Sequence, residues 1–447
     1  MAIRVSTSNI FYLGSQAITS RQADLAKLQQ QLSTGRRVLT PSDDPVASAQ
    51  MLEVAQSQAR NNQFITNSRD ATAATAMGES VLHSVVDLLY NVKQLAVNAG
   101  NPALTINERG MLRAELDASY QELMGLANST DSNGLYLFSG YQGSTRPFEE
   151  VSPGVVAYFG DQGQRQIQIS DSRNLPVSDS GRDIFQRIKE GNGTFVTETP
   201  TTNLNTGTGI ISPGTVTNMA NWSTAGNAGV AANFSINFHV DSSVNPPVTT
   251  YDIVDNTQAT PTSLLTGNTG AALLTGPYAR VYQPNAIMEL RTLPTDPVGP
   301  PAFDYGAQFS IEGAPATGDT FTVRGAKDMQ IFDTLTLLSN TLASDKSDAT
   351  QVAQYQNRLN LAMQGLDNAL TRIASTQADI GTRMNEIDAV ADNKADLNLQ
   401  YATQLRDLGD LDYAKAISDF SLTQTYLEAA QKTFMQTQRL SLFDQIS

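Results

Sequence analysis

The sequence predicts an α+β protein: an elongated antiparallel helical bundle or coiled coil built from both chain ends, around a β-rich central outer domain. Three observations lead there. Apolar residues recur with helical seam spacing near both ends of the chain. The middle switches to short alternating runs separated by Gly, Pro, Asn, Thr and Ser. The helical segments lie towards the two ends of the chain and the strand candidates between them.

The helical seams come first. From Leu359 the apolar positions step by four and three through Met363, Leu366, Leu370, Ile373, Gln377, Ile380, Met384 and Ile387, with Gln377 the one polar member. At 1.5 Å per residue this is a helix of roughly 43 Å. The front half answers with Leu82, Val85, Leu89, Val92, Ala96 and Ala99. A further helix opens at "TINE", where Thr105 and Glu108 have capping-box spacing, and continues through Leu112, Leu116, Ser119, Leu123 and Leu126. Another carries Phe332, Leu335, Leu338 and Leu342. Helices this distant in sequence with matching stripes fit an antiparallel bundle.

The middle begins with turn chemistry at Asp131-Ser132-Asn133-Gly134, followed by a strand-like stretch from Leu135 to Phe138. Strands are expected in "VVAYFG", "QIQIS", "TFVTE", "NFSINFHV", "TYDIVD", "AIMELR" and "TFTVRG". Trp222 is expected in the core of this region. The expected domains are residues 1–41 with 400–447 as a terminal assembly domain, 42–140 with 328–399 as the bundle, and 141–327 as the outer domain.

Composition excludes several function classes. The 29 basic and 44 acidic residues leave a net charge of −15, which repels phosphate backbones, so nucleic acid is not expected as a partner. No apolar run is long enough for membrane insertion. The first 25 residues lack a basic region followed by an apolar block, so no cleaved signal peptide is expected. There are no cysteines and two histidines, His83 and His239, each in an ordinary helical or strand pattern. A zinc site or a His-based triad would need more partners, so no catalytic residue, metal or other cofactor is expected. "GTGII" at Gly207–Ile211 lacks the third glycine and the following helix of a phosphate loop and reads as a turn. An outer-domain hydrolase using Glu149, Glu150, Asp161 and Asp171 is a remote alternative, because adjacent surface acids are usually solvated.

The candidate site lies at the chain ends. Phe11, Ile18, Leu25 and Leu32 recur every seven residues, as do Tyr413, Phe420, Leu427 and Phe434. Each set is a narrow apolar stripe, too little surface for a stable two-helix hairpin on its own, so these helices are expected to order against further copies. The stretch "LSTGRRVLTPSDDPVASAQ", Leu32–Gln50, links the first two helices. Gly35 can end the first in a left-handed conformation. Pro41 and Pro45 stiffen the link. Ser42, Asp43 or Asp44 can cap the second helix, with Pro45 in its first turn. Arg36 and Arg37 can pair with acids of the same or a neighbouring subunit.

These residues also carry a resemblance. The link, "NGLYLFSG" at Asn133–Gly140, "IGTRMNEIDAV" at Ile380–Val390 and the C-terminal "DLDYAKAISDFSLTQTYLEAAQKTFMQTQRLSLFD" together resemble the flagellin superfamily. The proline-flanked "PSDDP" is similar to the members found at the hook–filament junction rather than to the filament flagellins. The resemblance implies an extracellular structural subunit of the bacterial flagellum, exported unfolded through the flagellar type III channel. Its implied partners are itself, another hook-associated protein on the hook side, flagellin on the filament side, and an export chaperone at the C-terminal helix. A filament flagellin and an adhesin-like binding protein are the alternatives.

Overall fold

The computed structural model describes residues 7–200, 205–226 and 229–443. Its α-helices are α1 (Thr7–Thr34), α2 (Pro45–Ala99), α3 (Ile106–Ala127), α4 (Gly181–Phe185), α5 (Met219–Trp222), α6 (Ile331–Ala343), α7 (Ala349–Gly409) and α8 (Tyr413–Phe443). The chain divides into two units. The first contains the chain up to Arg69, Gln168–Arg173, and everything from Ile387 on. The second contains Asp70–Ile167 and Asn174–Glu386. Helices α2 and α7 thus contribute to both, and the second unit holds the bundle and the β-rich region together.

In the second unit the seams meet as their spacing demands. Leu82, Val85, Leu89, Val92, Leu366 and Ile373 are fully buried, in one cluster with Leu116 and Leu123 of α3 and Leu335 and Leu338 of α6. The same cluster takes in Ile184 and Phe185 of α4, so the stripes of α2, α3, α6 and α7 share one core. The capping box is present: Glu108 N–H donates to Thr105 Oγ1 at 3.3 Å, and Thr105 N–H donates to Glu108 Oε2 at 2.8 Å. One turn in, the buried Arg109 guanidinium donates to the carbonyls of Leu342 and Ser344, the orphan acceptors at the end of α6. It also lies 5.5 Å from the ring of Tyr355, whose hydroxyl donates to the Ala99 carbonyl at 2.9 Å.

A six-stranded antiparallel sheet runs in the order 262–263, 248–255, 233–241, 320–325, 195–198, with 280–281 pairing strand 248–255. A second sheet is centred on Asp304–Glu312, which pairs with 287–291, 210–211 and 215–216. Alternation works as expected: Phe234, Ile236 and Phe238 face one core with Phe309, Ile311 and Trp222. Three points differ from expectation. The end of "GTGII" is not a turn: Ile210–Ile211 is a strand paired with Asp304–Glu312. Leu135–Phe138 is not a strand; only Tyr136 forms a bridge, to Thr130, while Leu137 and Phe138 enter the bundle core as a turn. Strand Asp304–Glu312 was not expected, because Gly306 and Ala307 interrupt its alternation; Gly306 takes φ 61° and approaches the Asn218 carbonyl too closely for a side chain.

The β-rich region is fixed to α7 by polar side chains acting on backbone. Asn357 accepts from Ile211 N–H at 2.9 Å and donates to the Gly209 carbonyl at 2.9 Å, so its carboxamide stands in for a neighbouring strand. Gln354 donates to the Asn205 carbonyl, and Asn368 to the carbonyls of Lys189 and Gly191.

Candidate assembly surface and interhelix link

The first unit pairs α1 with α8. Phe11 and Phe434 have ring centroids 4.7 Å apart, Arg21 lies 6.0 Å from the Tyr426 ring, and Gly35 lies beside the Tyr413 hydroxyl, so the helices run antiparallel. Gly14 allows the approach: a Cβ there would lie 2.8 Å from the Phe434 ring. Stripe residues Ile18, Leu25, Leu32, Phe420, Leu427 and Phe434 are half-buried, and Phe11 and Tyr413 are exposed. None of the eight is buried in the way the inner seam is. Their neighbours add to the open apolar surface: Tyr12, Leu13, Ile417, Leu422, Tyr426 and Met435 are all at least half exposed. On α8, Leu422 and Tyr426, four residues apart, share one face and Ile417 lies on another, so that helix is apolar beyond a single narrow stripe.

The link folds around its two aspartates. Gly35 takes φ 69°, and its N–H donates to the Gln31 carbonyl at 2.8 Å, closing α1 in the left-handed manner its position suggested. Asp44 is the residue before α2, and its Oδ1 accepts from Ala47 N–H at 3.0 Å, the geometry of an N-cap with Pro45 at the first helical position. Asp44 Oδ2 meets Arg37 Nη1 at 3.0 Å. Asp43 has a different role. Its Oδ2 accepts from the N–H groups of Leu39 and Thr40 and from the Thr40 hydroxyl, and its Oδ1 lies 2.6 Å from Lys27 Nζ. Asp43 therefore closes the loop and ties it back to α1. Ser42 and Pro41 are exposed and Ser42 does not cap.

Both carboxyls are acidified by these contacts. The Lys27 ammonium, then the Thr40 N–H, hold Asp43 well below the usual carboxylate range. The Ala47 N–H, then Arg37, lower Asp44.

The sequence reading missed the other half of the link. Arg37 N–H donates to the Gly409 carbonyl at 2.8 Å, Leu411 N–H donates to the Gly35 carbonyl at 2.9 Å, and Arg36 and Asp410 form an isolated antiparallel bridge. Arg37 Nη2 donates to the Leu408 carbonyl at 2.7 Å. The two helix-to-helix connections therefore hydrogen-bond to each other like a short ribbon. The signal was "GDLD", where Gly409 ends α7 and Asp412 accepts from Lys415 N–H at 3.1 Å to start α8. Gln31, buried on α1, donates to the Arg37 carbonyl at 2.5 Å and braces the bend.

The four acids of the hydrolase alternative are not brought together. Glu150 accepts from Gly154 N–H, Asp161 from the N–H groups of Tyr141 and Gly163, and Asp171 pairs with Arg60. These three hold a turn or a surface contact, and Glu149 is exposed on the strand Phe148–Ser152. No described helix is long and apolar enough to cross a membrane.

The comparisons agree with this architecture. Residues 5–143 match the bacterial flagellin N-terminal helical region, and residues 363–444 match the bacterial flagellin C-terminal helical region. Flagellar hook-associated protein 3 of Salmonella typhimurium is 36% identical over 186 residues, 42% of this chain and 58% of that protein. The protein of the same name from Escherichia coli K12 is 26% identical over 441 residues, 99% of each chain. The crystal structure of the flagellar junction protein FlgL from Legionella pneumophila superposes with a TM-score of 0.64 at 28% identity, covering 81% of this chain and all of that one. The chain is thus similar to the bacterial flagellins over its two helical ends and to hook-associated protein 3 along nearly its whole length.

Proposed function

We propose that this chain is a structural subunit of the bacterial flagellum that forms the junction between hook and filament, and that it assembles through α1 and α8. The observation that carries the assembly reading is the incomplete cover of the terminal stripes. Fully burying each large apolar side chain is worth about 1.5–3 kcal/mol, and the eight stripe residues leave much of that unrealised in the single chain. Copies stacked side by side would take it up. The link supports the same reading. Asp43, Asp44, Arg37 and the ribbon with Gly409–Leu411 hold the departure of α2 from α1 without a large core, and would keep that angle the same in every copy.

The partners follow from the position. One face of the layer would meet another hook-associated protein and the other face flagellin, with an export chaperone covering the apolar faces of α8 beforehand. The relatives named above are structural flagellar proteins, in keeping with a non-enzymatic role. Immunogold labelling of purified flagella tests the proposal. Label confined to the hook–filament boundary is expected. Label along the filament would replace the junction reading with a filament flagellin.

A further inference from the structure

The two units differ sharply in charge. The first contains 13 basic and 14 acidic residues, a net charge of −1. The second contains 16 basic and 30 acidic residues, a net charge of −14. The helices with the open apolar surface lean the other way. In α1, Arg21 and Lys27 outnumber Asp24; in α8, Lys415, Lys432 and Arg439 outnumber Asp419 and Glu428. The unit with the open apolar surface is therefore nearly neutral, and almost all of the chain's net negative charge belongs to the other unit. Much of it is at the surface: Glu115, Glu122, Glu149 and Asp379 are exposed.

We propose that the acidic second unit opposes the stacking of identical copies and so limits self-assembly through the near-neutral first unit to a small layer. This rests on the assembly reading above and adds what stops it. Each new copy makes the same apolar contact through α1 and α8. It also meets the negative charge of every neighbour within a Debye length, about 8 Å at 0.15 M salt. A different subunit with a less acidic outer part would dock on the same helices without that penalty. Specificity for an unlike neighbour would then come from repulsion between like ones.

The test uses the full chain and its quadruple variant E115Q/E122Q/E149Q/D379N, with sedimentation velocity and light scattering from roughly 0.05 to 1 M NaCl. At about 0.15 M the wild type is expected to remain in small species and to enlarge towards 1 M, where the Debye length falls to about 3 Å. The variant is expected to reach the larger species at lower salt, with a critical concentration at least about tenfold lower at 0.15 M, a change of about 1.4 kcal/mol. Comparing both chains at one salt removes the effect of salt on apolar contacts. Identical salt dependence, equal assembly of both at the lowest salt, or no assembly of either at any salt would overturn the proposal. Circular dichroism checks folding; should the quadruple variant not fold, E122Q/D379N is read by the same criteria. Immunogold labelling reports on the junction reading independently, so the two can fail separately.

Discussion

The α1–α8 hairpin and the bundle of the second unit are written in nearly the same code and reach different outcomes. Phe11, Ile18, Leu25 and Leu32 repeat as regularly as Leu82, Leu89 and Ala96. Yet Leu82, Leu89 and Ala96 are fully buried, whereas Phe11 is 48% exposed. The number of covering helices makes the difference. In the bundle α3 and α6 join α2 and α7 in one core, and Arg109 and Tyr355 satisfy carbonyls at the ends of α6 and α2. Two helices alone can bury only the sides that face each other. Periodicity therefore reports that a face will be covered, and says nothing about whether the cover comes from the same chain.

The comparison can be broken at several points. The largest effect is expected in the bundle: Leu366→Ala or Leu89→Ala removes a fully buried side chain from a four-helix layer and should destabilise the second unit by about 2–5 kcal/mol, read by urea or thermal unfolding. A loss under about 1 kcal/mol would mean the bundle is as loosely covered as the hairpin. Thr105→Ala removes the reciprocal cap of α3 and should cost about 0.5–2 kcal/mol in the same melt. Phe434→Ala should cost the monomer less than about 1.5 kcal/mol, because the ring is only half covered, while abolishing incorporation into flagella. A large monomer effect with normal incorporation would show that the hairpin is an ordinary core.

The smallest effect concerns the link and pH. Asp43 and Asp44 both titrate below the ordinary value of 3.8 because their charged forms accept hydrogen bonds and ion pairs. Their contribution is complete above that value and is lost as pH falls towards the lower folded values. Amide exchange at Leu39, Thr40 and Ala47 should stay slow from neutral pH down to about pH 4, after correction for intrinsic rates, and quicken below it. Asp43→Asn should loosen Leu39 and Thr40 already at neutral pH and leave Ala47 protected. Equal loosening at all three amides would merge two roles that the geometry keeps apart.

Much of the architecture was legible because it depends on near neighbours in sequence. The capping box at Thr105 and Glu108, the left-handed Gly35, the inner seams and the alternation of Phe234, Ile236 and Phe238 are set by local sterics and by spacing. The Asp304–Glu312 strand was not legible. Its Gly306 is there for a close approach to Asn218, and no local pattern announces a contact so far along the chain.

The same division holds at the link. Glycine, prolines and aspartates announced a rigid turn with a cap, because those preferences act over four or five residues. Which aspartate caps, and which ties the loop to Lys27, depended on where α1 lay when the loop closed. That Gly35, Arg36 and Arg37 would bond to Gly409, Asp410 and Leu411 depended on two helix pairs returning the chain to one place. Short-range preferences act through fixed covalent geometry and survive in any context. Long-range hydrogen bonds exist only once packing has brought their partners together, so tertiary structure alone assigned them.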